Sequence, residues 1–137
     1  MNWLKVLLVP IALTSQLVTA EVAVIVHPSN AATADQAEIA RLFTGRGATF
    51  ASGGKATPLN LAEGAATRAD FDSKVLGKSS SQIKAYWSKL VFTGKGTPPK
   101  ELTDDAAMKA AVAADTSAIG YIDAGAVDAS VKVIGKF

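Results

Sequence analysis

Cysteine is absent from this 137-residue chain. No disulfide can staple the fold, no cysteine can carry a lipid anchor, and thiol catalysis is excluded. The apolar core must therefore hold the fold alone. Histidine occurs once, as His27. One histidine without cysteine does not make a usual zinc site, and at a strand end it reads as structural or solvated. The sequence has no basic run and no aromatic-studded strand, so a nucleic-acid partner is not expected. The glycine-rich stretch Gly45–Gly54 is not followed by Gly-Lys-Ser/Thr, so it is no P-loop. Ser79, Ser80 and Ser81 have no base nearby in sequence. No metal site, cofactor or catalytic set emerges, and an enzyme is not expected.

What is present begins with an amino-terminal pattern. Lys5 is followed by the apolar run Val6–Leu13, a polar stretch, and Val18-Thr19-Ala20. This reads as a cleavable secretory signal peptide over residues 1–20. The run is too short for a bilayer span of about 20 residues, so an integral membrane protein is not expected. The mature chain would start at Glu21 as one domain, and export without cysteine suits a bacterial periplasm. About half the residues are apolar, enough for a sizeable core. Charge is unevenly spread: residues 41–100 carry ten Lys/Arg against Glu63, Asp70 and Asp72, while both flanking segments are acidic. A basic middle either gathers anions or is a solvated surface.

The elements alternate. Val22–Val26 is a continuous apolar run, as in a strand covered on both faces. Thr33 and Gln36 read as a capping box opening a helix that ends near Phe43. Thr57–Leu61 is a second strand, followed by a helix from about Thr67 to Gly77. Ser79 and Gln82 form a second capping box. The next helix has its stripe at Ile83, Tyr86, Trp87, Leu90 and Val91, with Trp87 read as core. Thr103 can cap a helix with Asp104 and Asp105 in its first turn, and those two acids read as helix-start capping and not as a catalytic carboxylate pair. Ala118–Ile122 and Val131–Ile134 are further strands. This order predicts an α/β fold: a single three-layer domain with a mostly parallel sheet over residues 21–137.

The most informative stretch is Pro58–Gly77, where a strand runs into a loop of small residues and then a helix. A helix start leaves backbone N–H groups unpaired and pointing outward, which suits an anion. In an open parallel sheet, ligands gather at the carboxyl ends of the strands. Those ends offer Ser29 and Asn30; Asn60, Glu63, Gly64, Thr67 and Arg68; and Tyr121 and Asp123. Thr67 reads as a helix cap or a ligand contact. Arg68 can also pair with Asp72 one turn on, at about 0.2–0.5 kcal/mol on a surface.

In order, VAVIVHPSN, ADQAEIARLFTGR, PLNLAEGAATRADFDSKVLG, AYWSKLVFTGKGTPP and AIGYID resemble the phosphate-type substrate-binding proteins of ABC importers, in particular their short periplasmic relatives. The resemblance covers nearly all of residues 21–137. It implies one lobe of a type II periplasmic binding protein, where full-length members close two lobes on a tetrahedral oxyanion. The strand-loop-helix geometry places the expected oxyanion site at Gly64, Ala65, Ala66, Thr67 and Arg68, with Ser29, Asn30 and Tyr121 nearby, and its ligand comes from the resemblance. The resemblance further implies inorganic phosphate or a similar oxyanion as ligand, and an ABC transporter permease as partner. The chain departs from the family where Asn60 stands near an expected arginine and where Gly64-Ala65-Ala66-Thr67 replaces a Ser-Gly-Thr-like turn. The departures and the missing second lobe leave a rival reading: an envelope interaction module that docks on another periplasmic or outer-membrane protein, with an apolar patch sought at Leu90–Pro99.

Overall fold

The computed structural model describes residues 21–137. The expected signal peptide lies outside the described residues. Five strands form one sheet: β1 (Val22–Val26), β2 (Thr57–Leu61), β3 (Lys100–Leu102), β4 (Ala118–Asp123) and β5 (Lys132–Lys136), in the order β3-β2-β4-β1-β5. β2 pairs in parallel with β3 and β4, whereas β1 pairs antiparallel with both β4 and β5. Four strands thus run one way and β1 runs against them. The α/β class and the parallel centre stand; the expected direction of β1 does not. An apolar run such as VAVIV reports burial on both faces, which any central strand has, and says nothing of direction.

The helices are α1 (Gln36–Phe43), α2 (Ala66–Phe71), α3 (Ser80–Phe92) and α4 (Asp105–Ala114). α2 runs on without a break into a π-helical segment, Asp72–Leu76, closed by Gly77 at φ +67°. α1 starts later than Thr33 because Asp35, not Thr33, is the cap: its Oδ1 accepts from the Glu38 N–H at 2.9 Å. Likewise Asp104, not Thr103, caps α4 by accepting from the Ala107 N–H at 2.8 Å. A carboxylate at this position also suits the positive end of the helix dipole. The Ser79–Gln82 capping box forms as expected. β3 has no signature in the sequence because three residues, Lys-Glu-Leu, carry no readable period.

Side chains alternate across a strand, so β4 presents Tyr121 to one face and Gly120 to the other. On the Tyr121 face, Phe71 lies flat against the ring, centroids 3.9 Å apart and planes within 1°. Phe43 from α1 meets both rings edge-on. On the other face, Met108 and Val112 of α4 press on Gly120, where a Cβ would come within 2.4 Å of the Met108 sulfur. Helices on both faces of the sheet give the three layers. α3 buries Ile83 and Trp87, but Val91 of the expected stripe is half exposed.

Phe71 is fully buried at the junction of α1, α2 and β4. Truncating a buried phenylalanine costs about 3–5 kcal/mol. Phe71→Ala is therefore expected to lose that much in urea unfolding of residues 21–137. A loss under about 1 kcal/mol would show that the ring stack does not anchor α2.

Candidate functional site

β2 delivers the chain to a loop at the carboxyl edge of the parallel strands. The Ala62 N–H donates to Leu102 O at 2.8 Å, tying the loop to β3. Gly64 then turns the chain at φ +87°, a backbone state that favours glycine. α2 starts at Ala66 with Ala65 as its cap residue, and Ala65 has no side chain to accept from the first-turn N–H groups. Thr67 is the second residue of the helix, so it does not cap α2 as the sequence allowed. The helix start stays open toward solvent, with Gly64 and Ala66 exposed.

α3 begins beside it. Ser80 Oγ donates to Asp72 Oδ2 at 2.8 Å, which fastens the first turn of α3 to the far end of α2. The two helix starts enclose a cavity of about 210 Å³ lined by Glu63, Gly64, Arg68, Ser80, Ser81 and Lys84. The sequence reading missed Ser80, Ser81 and Lys84 as neighbours of Gly64. The Ser79 capping box fixed where α3 starts, but not that its first turn would lie against α2.

Arg68 joins the groups. It is buried, with Nη1 donating to Leu61 O at 3.0 Å and to Glu101 Oε1 at 2.7 Å. Nε lies 3.9 Å from Asp72 Oδ2. The Arg68–Asp72 pair is thus buried, unlike the surface pair the spacing suggested. Both Arg68 Nε and Asp72 Oδ1 are buried without a hydrogen-bond partner. Lys84 is held by Glu63 at 3.3 Å, with both side chains largely exposed. An exposed pair of this kind is worth at most about 1 kcal/mol, so an entering anion can exchange with Glu63. Arg68, Lys84, Ser80 and Ser81 thus line one space large enough for a small oxyanion.

The remaining expected residues lie elsewhere. Because β1 is antiparallel, Ser29 and Asn30 fall at the opposite edge of the sheet, where Asn30 Nδ2 donates to Thr116 O just before β4. They also serve their own turn: His27 Nδ1 engages Ser29, and Asn30 Oδ1 accepts from the Ala32 N–H at 2.9 Å. They do not meet Gly64, Ala65, Ala66, Thr67 and Arg68. Tyr121 sits beneath the site but is fully buried. Its hydroxyl donates to Asn60 Oδ1 and accepts from the Leu61 N–H, and burial pushes its phenol well above the ordinary range. Tyr121 and Asn60 thus hold the end of β2 in place; Tyr121 is not presented to a ligand, whereas Asn60 also lines the larger hollow beside the site. Asp123 accepts from the Gly125 N–H in the turn after β4.

Beside the small cavity lies a larger hollow of about 470 Å³, walled by Trp87, Val91, Phe92, Pro98 and Pro99. It shares Glu63, Arg68 and Lys84 with the small cavity. Among the described residues, no group of three or more His, Asp or Glu could hold a metal ion. No described helix is long and apolar enough to cross a membrane.

No family model matches the chain, and neither does any curated protein. Its fold is shared with solved receptors. An ABC-type phosphate transport receptor from Vibrio cholerae superposes with a TM-score of 0.65 at 22% identity, over 84% of this chain and 46% of that one. A protein assigned as a phosphate ABC transporter substrate-binding protein from Clostridium perfringens, with phosphate bound, gives 0.65 at 20%, over 84% and 45%. PstS from Borrelia burgdorferi gives 0.62 at 12%, over 85% and 47%. The chain therefore has the fold of one part of such receptors and spans just under half their length.

Asp72 gives a pH test. Burial raises its pKa, against the lowering effects of Ser80 and then Arg68. The folded value lies above the unfolded value near 4, so the fold holds this proton more tightly than the unfolded chain does. Ionised Asp72 then weakens the fold, increasingly as pH rises from about 4 through the folded pKa. Asp72→Asn should match the parent near pH 4 and exceed its stability at pH 8, read by urea unfolding at both. A variant that falls behind the parent at pH 8 would mean that attraction to Arg68 outweighs burial.

Proposed function

We propose that this chain is an oxyanion-binding domain of the phosphate-receptor type, acting in the bacterial periplasm with an ABC importer. The single observation that carries the reading is the pairing of two helix starts, α2 and α3, around Arg68, Lys84, Ser80 and Ser81, in a fold shared with phosphate transport receptors. The α2 N–H groups would take the anion's oxygens, since a helix start favours negative charge. The Ser81 hydroxyl would donate to a remaining oxygen, while the Ser80 hydroxyl stays on Asp72. Lys84 would leave Glu63 for the ligand, and Arg68 would supply fixed positive charge from beneath. The site binds and releases; no group in it is set to transfer a proton or attack a bond.

A site open on one side stays in water, where each charge contact is weak. Affinity for phosphate should be modest, about 0.1–1 mM, or roughly −5.5 to −4 kcal/mol. Calorimetric titration of inorganic phosphate into residues 21–137 should give saturable heat. Lys84→Ala removes an exposed cation without touching the core and should weaken binding roughly three- to tenfold. Ser29→Ala, at the far edge, should leave it unchanged. No heat at about 10 mM phosphate would sink the reading, and an effect of Ser29→Ala alone would move the site to the other edge.

A further inference from the structure

The apolar stripe of α3 runs off the end of the domain. Ile83 and Trp87 are buried, but the next position on that face, Val91, is 52% exposed, and the neighbouring Phe92 is 92% exposed. No other described large hydrophobic residue is as open. Gly94, at φ +69°, stops the helix there, and Pro98 and Pro99 return to form the opposite wall of the 470 Å³ hollow. A projecting ring and an apolar hollow therefore lie side by side on one face.

We propose that this face seats the same face of a second copy, with Phe92 of each protomer in the hollow of the other. A knob and a hole on one patch are what a twofold interface requires, since each surface must complement itself. The charges agree. The hollow is rimmed by two cations, Arg68 and Lys84, and two carboxylates, Glu63 and Glu101. Lys84 of one protomer can exchange its own Glu63 for that of the other. Residues 21–137 carry 13 basic and 12 acidic residues, all of the chain's charges except Lys5, so two copies meet without long-range repulsion. The hollow shares Glu63, Arg68 and Lys84 with the anion cavity, so a copy seated on it also covers that cavity. This last consequence rests on the oxyanion reading; the apolar contact does not.

Sedimentation velocity on residues 21–137 without phosphate, from about 5 µM to 1 mM, tests the proposal, with a dimer Kd of ~10–100 µM expected. Trp87 is the only tryptophan in this segment and lines the hollow, so its emission should change with the same concentration dependence. Phe92→Ser should weaken association at least about tenfold while leaving the thermal midpoint unchanged at about 5 µM, where both proteins are mostly monomeric, because the ring is outside the monomer core. A chain that stays monomeric throughout, or a Phe92→Ser variant that associates like the parent, overturns the proposal. Added phosphate separates the two readings. If phosphate binds a strictly monomeric chain, the dimer fails and the oxyanion site stands. If dimers form but phosphate neither binds nor tightens them, the oxyanion site fails and the dimer stands.

Discussion

The stack of Phe71 on Tyr121 is the contact on which the rest depends. Tyr121 belongs to the central strand and Phe71 to the helix that follows the Gly64 loop, so the stack fixes that helix over the sheet. The Tyr121 hydroxyl reaches the other way, to Asn60 and the Leu61 N–H, and fixes the last residues of β2. One side chain thus sets both ends of the loop between β2 and α2. A loop held at both ends can present backbone N–H groups in a constant direction, which is what electrostatic recognition by a helix start needs. A tyrosine suits this place because its ring adds apolar contact and its hydroxyl satisfies a polar group in the core.

The charges beneath the loop are arranged so that none stands alone. Arg68 is buried against Glu101, Asp72 and a carbonyl. A buried guanidinium without partners would be strongly unfavourable, whereas a paired one is tolerated. Pairing also weakens the field that a ligand would feel. Five ionisable groups, Glu63, Arg68, Asp72, Lys84 and Glu101, carry nearly balanced charge, and burial drives Asp72 toward its neutral form. An anion entering this cavity would be attracted less by net charge than by oriented donors and by cations that can change partners. This favours weak, exchangeable binding in the single domain and gives a closing surface over the site a physical purpose.

Much of this was legible in the sequence. The strand-loop-helix order at Pro58–Gly77 located the loop, the Ser79–Gln82 box located the start of α3, and the apolar runs located the central strands. Helix caps slipped where two candidates stood close: Asp35 prevails over Thr33 and Asp104 over Thr103, since the cap is chosen by where the apolar stripe meets the core. Strand direction was not legible, because Val22–Val26 is buried on both faces and looks the same either way. That one reversal moves Ser29 and Asn30 to the far edge. Tyr121 could be seen at a strand end but not the way its ring would point. The neighbourhood of Ser80, Ser81 and Lys84 with Gly64 depends on α3 folding back along α2, a contact between elements that no local pattern encodes.

The central claim is that the paired starts of α2 and α3 receive the anion. Amide proton–nitrogen correlation spectra of residues 21–137, recorded during addition of phosphate at constant pH and ionic strength, read that claim residue by residue. The account expects progressive shifts confined to Gly64–Arg68 and to Ser80–Lys84, with Ser29 and Asn30 still. Shifts centred on Ser29 and Asn30, or none at either edge, would contradict it.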